Sequence, residues 1–311
     1  MNVPPWTWAW VAALATWGAT AFATGAGGAL DVASSALTFG AFFVIVALGQ
    51  MFVVTLGPGN VDLSIPANMT LAGTVAMKVM GGEAAMIVPG ALAALGCGLG
   101  VGLANWALIR ALAIPPIIAT LSSSFVFQSL AISANRGLRV KPPAALAEFA
   151  TARVAGVPLV ALVALAASVA LHVALRHGLY GRAVLAIGQN PRAARLANVP
   201  VERTRLLTYV LCAALAALSG VLLAAFSGGA ALNMGEEYLL ASIAVVVIGG
   251  TSVAGGFANV PGLWGASLFL FLVVTMLNTF GFGAGTRLLM TGAIIIAVIV
   301  AASGRGAPER A

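Results

Sequence analysis

Apolar residues in this chain come in long unbroken runs, with no alternation and little sign of a one-sided helical stripe. The runs fall at about 8–24, 36–56, 63–80, 84–105, 113–132, 156–175, 205–227, 237–250, 260–280 and 285–303. Continuous apolarity over such lengths predicts helices that are hydrophobic all round, which lipid requires and water does not tolerate. A spanning helix needs about 20 mostly apolar residues. The pattern therefore predicts an all-α, polytopic membrane protein with about ten transmembrane helices, built as one domain over residues 1–311. Membrane-barrel strands would alternate instead. The first run is Ala-rich, and no Lys or Arg precedes it, so it reads as a retained helix rather than a signal peptide. Trp6, Trp8 and Trp10 would then anchor it at the interface.

Composition sharpens this. Of 311 residues, 61% are hydrophobic and only 7% charged, with a mean hydropathy of +1.07. Ordinary soluble domains carry roughly 25% charged residues. So few charges cannot cover a soluble globule, which excludes a soluble enzyme, a disordered chain and a nucleic-acid-binding module. The basic residues behind the net charge of +7 lie mostly in two polar stretches between apolar runs and are not clustered as a DNA-binding face needs. An even number of spans puts both termini on one side. With that side cytoplasmic, the inner segments hold Arg110, Arg176, Arg182, Arg192, Arg195, Arg203, Arg205, Arg305 and Arg310. The outer segments hold Lys78, Arg136, Arg139, Lys141, Arg153 and Arg287. The positive-inside rule then favours cytoplasmic termini. Cys97 and Cys212 both lie in apolar runs and read as small packing residues.

The polar stretch 176–205 holds six arginines and is longer than a mere connector requires. Asn190 is a good N-cap and Pro191 a favoured first helical residue. A short basic helix over Pro191–Ala197 follows, ended by Asn198 in a left-handed position and by Pro200. Such a helix could serve as a docking surface for a partner, or could bind anionic lipid headgroups.

The stretch from Ala186 to Val199 resembles the cytoplasmic coupling loop of sugar-type ABC importer permeases, the ribose-importer class. Three further stretches are similar to that family in the same order: Gly59–Ser64, Gly102–Asn105 through Ile114–Leu121, and Ile243–Gly256 with its Gly-Gly-Thr-Ser core. Together they span roughly residues 40–303. The departures are few: Pro191 and Arg192 stand where the family commonly has acidic residues, and Asn198 where it has Gly.

The resemblance implies the ABC importer permease fold and a subunit that translocates a monosaccharide (pentose, hexose or related polyol). Its implied partners are a cytoplasmic ABC ATPase, a periplasmic sugar-binding protein and a second permease chain, identical or paralogous. ATP and Mg would be bound by the ATPase. Within the loop 176–205, the coupling residues would be Asn190, Pro191, Arg192, Ala193, Ala194, Arg195, Leu196 and Val199. Ala193 and Ala194 would touch the ATPase, and Arg192 and Arg195 would pair with its acidic residues. Asp62, Ser64, Asn68, Ser123, Gln128 and Asn278 are the candidate pathway or gate residues. Each also has a plainer reading. Asp62 can cap the helix entered through Ser64 and Pro66, and polar residues inside apolar runs can hydrogen-bond between helices.

The chain carries no Gly-x-x-x-x-Gly-Lys-Ser/Thr loop to cradle phosphates. His172 and His177 are five residues apart, a poor metal pair on one helix face. No catalytic, cofactor or metal site is expected. The rival readings are a branched-chain amino acid ABC permease and a secondary transporter driven by an ion gradient. The latter would need carboxylates deep inside the spans.

Overall fold

The computed structural model describes residues 6–137 and 140–303. Arg139, Arg305 and Arg310 lie outside the described residues. The chain is helical almost throughout: α1 (Thr7–Thr55), α2 (Ile65–Met80), a 3-10 turn (Ala84–Met86), α3 (Ile87–Ala111), α4 (Pro116–Asn135), α5 (Ala144–Thr151), α6 (Leu159–His177), α7 (Leu179–Gln189), α8 (Pro191–Leu196), α9 (Val201–Phe226), α10 (Tyr238–Ile248), α11 (Val260–Thr279) and α12 (Ala284–Ser303). A small antiparallel hairpin, Arg153–Val154 with Val157–Pro158, precedes α6. Ala155 and Gly156 both have positive φ at its turn, as a two-residue hairpin loop requires.

Among the described residues, six stretches are long and apolar enough to cross a bilayer: Gly27–Thr55, Ala84–Ala111, Pro116–Asn135, Leu159–His177, Val201–Phe226 and Val260–Thr279. Two expected boundaries differ. The residues between the first two runs are helical, so that α1 is two helices joined at Gly25 (φ 75°, ψ 176°). Trp17 Nε1 donates to the Ala29 carbonyl at 3.0 Å across that corner. The run 237–250 yields only the 11-residue α10. At 1.5 Å per residue it reaches about 16 Å, roughly half a hydrocarbon core. Asn259 Nδ2 donates to the Gly249 carbonyl at 2.9 Å and closes its end.

The core lies around the second half of α1, where Ala41, Phe42, Ile45, Leu48 and Phe52 are fully buried. α9 and α11 pack beside it. Trp10 Nε1 donates to the Pro261 carbonyl, and Ser267 Oγ to the Gly40 carbonyl, both joining α1 to α11. Trp10 is thus engaged with α11, not a free interfacial anchor. α3 lies against α9 through small residues: a Cβ on Gly102 would stand 2.6 Å from Val210 Cα, and one on Gly98 2.7 Å from Ala217 Cβ. Without a hydrophobic drive between helices in lipid, such close backbone approach supplies the packing energy. The outer sides of α3 and α4 carry exposed Leu92, Leu99, Leu103, Ile118, Phe125 and Leu130, which suits a lipid-facing surface.

Candidate functional site

Most of the candidate residues gather at one end of the bundle, where α1, α3 and α6 finish and α4 and α9 begin. α8 is the centre of this end. Asn190 is extended (φ −160°), and its Oδ1 accepts from the Arg192 and Ala193 N–H groups, both at 3.0 Å. Asn198 adopts φ 59°, and the Val199 N–H donates to the Ala194 carbonyl at 2.9 Å. The local chemistry of Asn, Pro and Asn therefore forms the helix that the sequence predicts. It runs over Pro191–Leu196.

The orientation of α8 corrects one expectation. Ala194 is buried among residues of the core and cannot face a partner. Ala193, Arg192 and Pro191 are exposed, and Leu196 is 91% exposed. Arg195 is not a free cation either, since it pairs with Glu202 at 3.3 Å. Val199 is half-buried and packs against the core.

The base of α8 is locked by glycines distant in sequence, Gly188 at the end of α7 with Gly57 and Gly255 from two loops. Gly188, two residues before Asn190, is so close to Thr55 and Gly256 that a Cβ there would overlap the Thr55 carbonyl oxygen and the Gly256 nitrogen. Gly255 (φ 86°) is equally close to Gly57, and the Gly256 N–H donates to the Thr55 carbonyl at 3.0 Å. The end of the buried helix α1, the end of α7 just before α8, and the loop after α10 thus touch backbone to backbone.

Beside this junction lies a buried polar network. Asp62 Oδ1 accepts from the Ser64 N–H at 2.9 Å and the Ser64 hydroxyl at 2.6 Å. Asn105 Nδ2 donates to Ser64 Oγ at 2.7 Å, and Ser123 Oγ to Asn105 Oδ1 at 2.5 Å. The Asp62 N–H donates to Gln50 Oε1, and the Leu63 N–H to Thr120 Oγ1. Asp62, Ser64, Gln50, Asn105 and Thr120 are all essentially inaccessible. Burial pushes the Asp62 carboxyl above the usual carboxylate range, with the two Ser64 hydrogen bonds opposing it. Asp62 Oδ2 and Gln50 Nε2 have no hydrogen-bond partner. The network ties α1, α3 and α4 to the loop 57–64.

Of the six candidate pathway residues, Asp62, Ser64 and Ser123 meet here. Asn68 is elsewhere, buried with Nδ2 donating to the Ala213 carbonyl of α9 at 2.8 Å. Gln128 Nε2 donates to the Leu232 carbonyl at the opposite end of the bundle, and the exposed Asn278 accepts from Arg287. These three do not join the network. Gln50, Asn105 and Thr120 had no role assigned from sequence. A lone Gln inside an apolar run was the available signal for the first, and the other two sit within the family-like stretches.

A family model described as the permease component of the branched-chain amino acid transport system matches residues 32–299. The chain belongs to this family. It is 31% identical over 264 residues to the probable ABC transporter permease protein y4mJ of Sinorhizobium fredii, covering 84% of this chain and 78% of that protein. It is 29% identical over 265 residues to the ribose import permease protein of Escherichia coli (strain K12), covering 82% and 80%. It is 31% identical over 270 residues to an autoinducer 2 import system permease protein of Yersinia enterocolitica, covering 83% and 80%. The comparison with solved structures yields no match. These relatives bear out the resemblance to sugar-type ABC permeases. The chain is accordingly a multi-pass inner-membrane subunit that is not itself an enzyme, with ATP hydrolysis in a partner ATPase.

Proposed function

We propose that this chain forms part of the transmembrane pathway of an importer for a monosaccharide or related polyol. A second permease chain completes the pathway, a periplasmic binding protein feeds it, and a cytoplasmic ATPase that binds ATP and Mg seats on α8. The termini then lie in the cytoplasm, on the same side as α8. The reading rests on the ribose and autoinducer 2 import named for the relatives, and above all on one observation: α8 pushes Leu196 and Arg192 outward from a base that has no slack. A 91% exposed Leu on a rigid basic helix suits a docking knob.

Transport follows from a two-state shift. ATP binding favours the closed ATPase dimer, and the ATPase can bias the pathway only by gripping its two states differently. Force on α8 passes through Gly188 to the end of α1 and to the loop after α10, because backbone in contact cannot absorb displacement as a side chain can. The Asp62 network then makes α1, α3 and α4 move as one body at that end.

The test is ATP-dependent uptake of labelled pentoses and hexoses into vesicles holding the chain with its ATPase, second permease and binding protein. Leu196→Asp should abolish ATPase co-purification and lower uptake at least tenfold while membrane insertion persists. Undiminished uptake by that variant would sink the docking role. Uptake of labelled leucine in place of sugar would instead favour the branched-chain amino acid reading, which the family's description suggests.

A further inference from the structure

At the α8 end, a cavity of about 460 Å³ opens between the end of α3 and the start of α9. Its lining includes Trp106, Arg110, Arg195, Glu202, Arg205 and Tyr209. Three guanidinium groups thus face one carboxylate. Glu202 is shared among them, at 3.3 Å from Arg110 Nε, 3.3 Å from Arg195 and 3.6 Å from Arg205. A single carboxylate engages one nitrogen of each guanidinium and leaves two positive charges at the lining uncompensated. Two buried donors have no partner at all: Arg205 Nε and Trp106 Nε1. Buried N–H groups are paired almost everywhere in folded proteins, and neither of these two is accessible from the cavity, so an acceptor there reaches them only when the side chains rotate toward it.

We propose that this cavity binds a phosphate group. A phosphate monoester carries about −1.5 to −2 charges and three acceptor oxygens. That matches the surplus charge of three arginines around one carboxylate, and Arg suits phosphate through its planar fork of N–H groups. Arg110 belongs to α3, Arg195 to α8 and Arg205 to α9. A bound phosphate therefore fastens α8 to two spanning helices and stiffens the element that meets the partner. The group can arrive on a soluble ester or on an anionic lipid headgroup, and the two sources are separable.

The full-length chain is reconstituted in phosphatidylcholine nanodiscs and titrated calorimetrically with inorganic phosphate, then again with phosphatidic acid, a monoester lipid, included. Saturable one-to-one binding is expected. Arg205→Gln should weaken it at least tenfold, whereas Arg176→Gln, outside the cavity, should leave it unchanged. Glu202→Gln should tighten it at least threefold by removing the competing carboxylate, a gain that a misfolded chain cannot mimic. Phosphatidic acid that competes with phosphate identifies the lipid source, and phosphatidic acid without effect identifies a soluble ester. Absence of binding to both, equal affinities in the two Arg variants, or no gain in Glu202→Gln would overturn the proposal.

Discussion

Two carboxylates at the same end of this bundle are handled in opposite ways. Asp62 is buried with no cation among the described residues hydrogen-bonded or ion-paired to it, and is held by the Ser64 N–H and hydroxyl, with Asn105 donating in turn to Ser64. Glu202 is partly exposed and shared by three arginines. A buried polar group depends on every hydrogen bond because no water can replace one. A rim charge can trade its partners for solvent at little cost. The Asp62 cluster is therefore fixed geometry, and the Glu202 cluster is an exchangeable contact. Sequence position hides this difference: both residues lie within a few positions of a helix start.

The sharpest way to break this comparison lies beneath both clusters. Gly188→Ala puts a methyl into the Thr55 carbonyl and the Gly256 nitrogen, where backbone must shift. Overpacking of this kind costs roughly 1–3 kcal/mol and occasionally more. The purified variant should show a clearly lowered thermal midpoint, and the assembled importer should hydrolyse ATP without transporting. Normal coupling in Gly188→Ala would mean that the backbone junction transmits nothing.

Next in size is Asn105→Ala. It strips the Ser64 and Ser123 hydroxyls of a shared partner inside the core, at a cost of about 1–3 kcal/mol. The midpoint should fall, and protease access to the loop 57–64 should rise. Asn68→Ala should matter less. Its single bond to the Ala213 carbonyl joins two helices in lipid, where such bonds average about 0.6 kcal/mol. Uptake selectivity should be unchanged, which separates a fastener from a pathway residue. A shifted sugar preference in Asn68→Ala would restore it to the pathway.

What could be read in advance follows from range. α8 was legible because its determinants, Asn190, Pro191 and Asn198, act within a few residues of one another. The face it presents was not: six residues are too few for a periodicity, so nothing local told that Ala194 points inward and Ala193 outward. The spans were legible as apolar runs, yet hydropathy could not tell the half-length α10 from a full crossing, since Asn259 ends it from across a loop. The junction of Gly57, Gly188 and Gly255 unites segments nearly 200 residues apart in number. Each glycine alone is ordinary in a chain with 37 of them, and only their meeting gives them a role. The same holds for Gln50, Asn105 and Thr120.

The smallest expected effect sharpens the comparison most directly. Glu202→Gln removes a carboxylate paired with three arginines, and a count of ion pairs would forecast a large loss. The pairs are long, at 3.3–3.6 Å, and the carboxylate side chain is 37% exposed, so water and salt compete for each. Exposed pairs are worth about 0–1 kcal/mol. The thermal midpoint of Glu202→Gln should differ from the parent by less than that of Asn105→Ala, and the difference should shrink as salt is raised. A drop as large as the Asn105→Ala drop, persisting in high salt, would place Glu202 with Asp62 as part of the rigid frame. The contrast between a fixed and an exchangeable carboxylate would then fail.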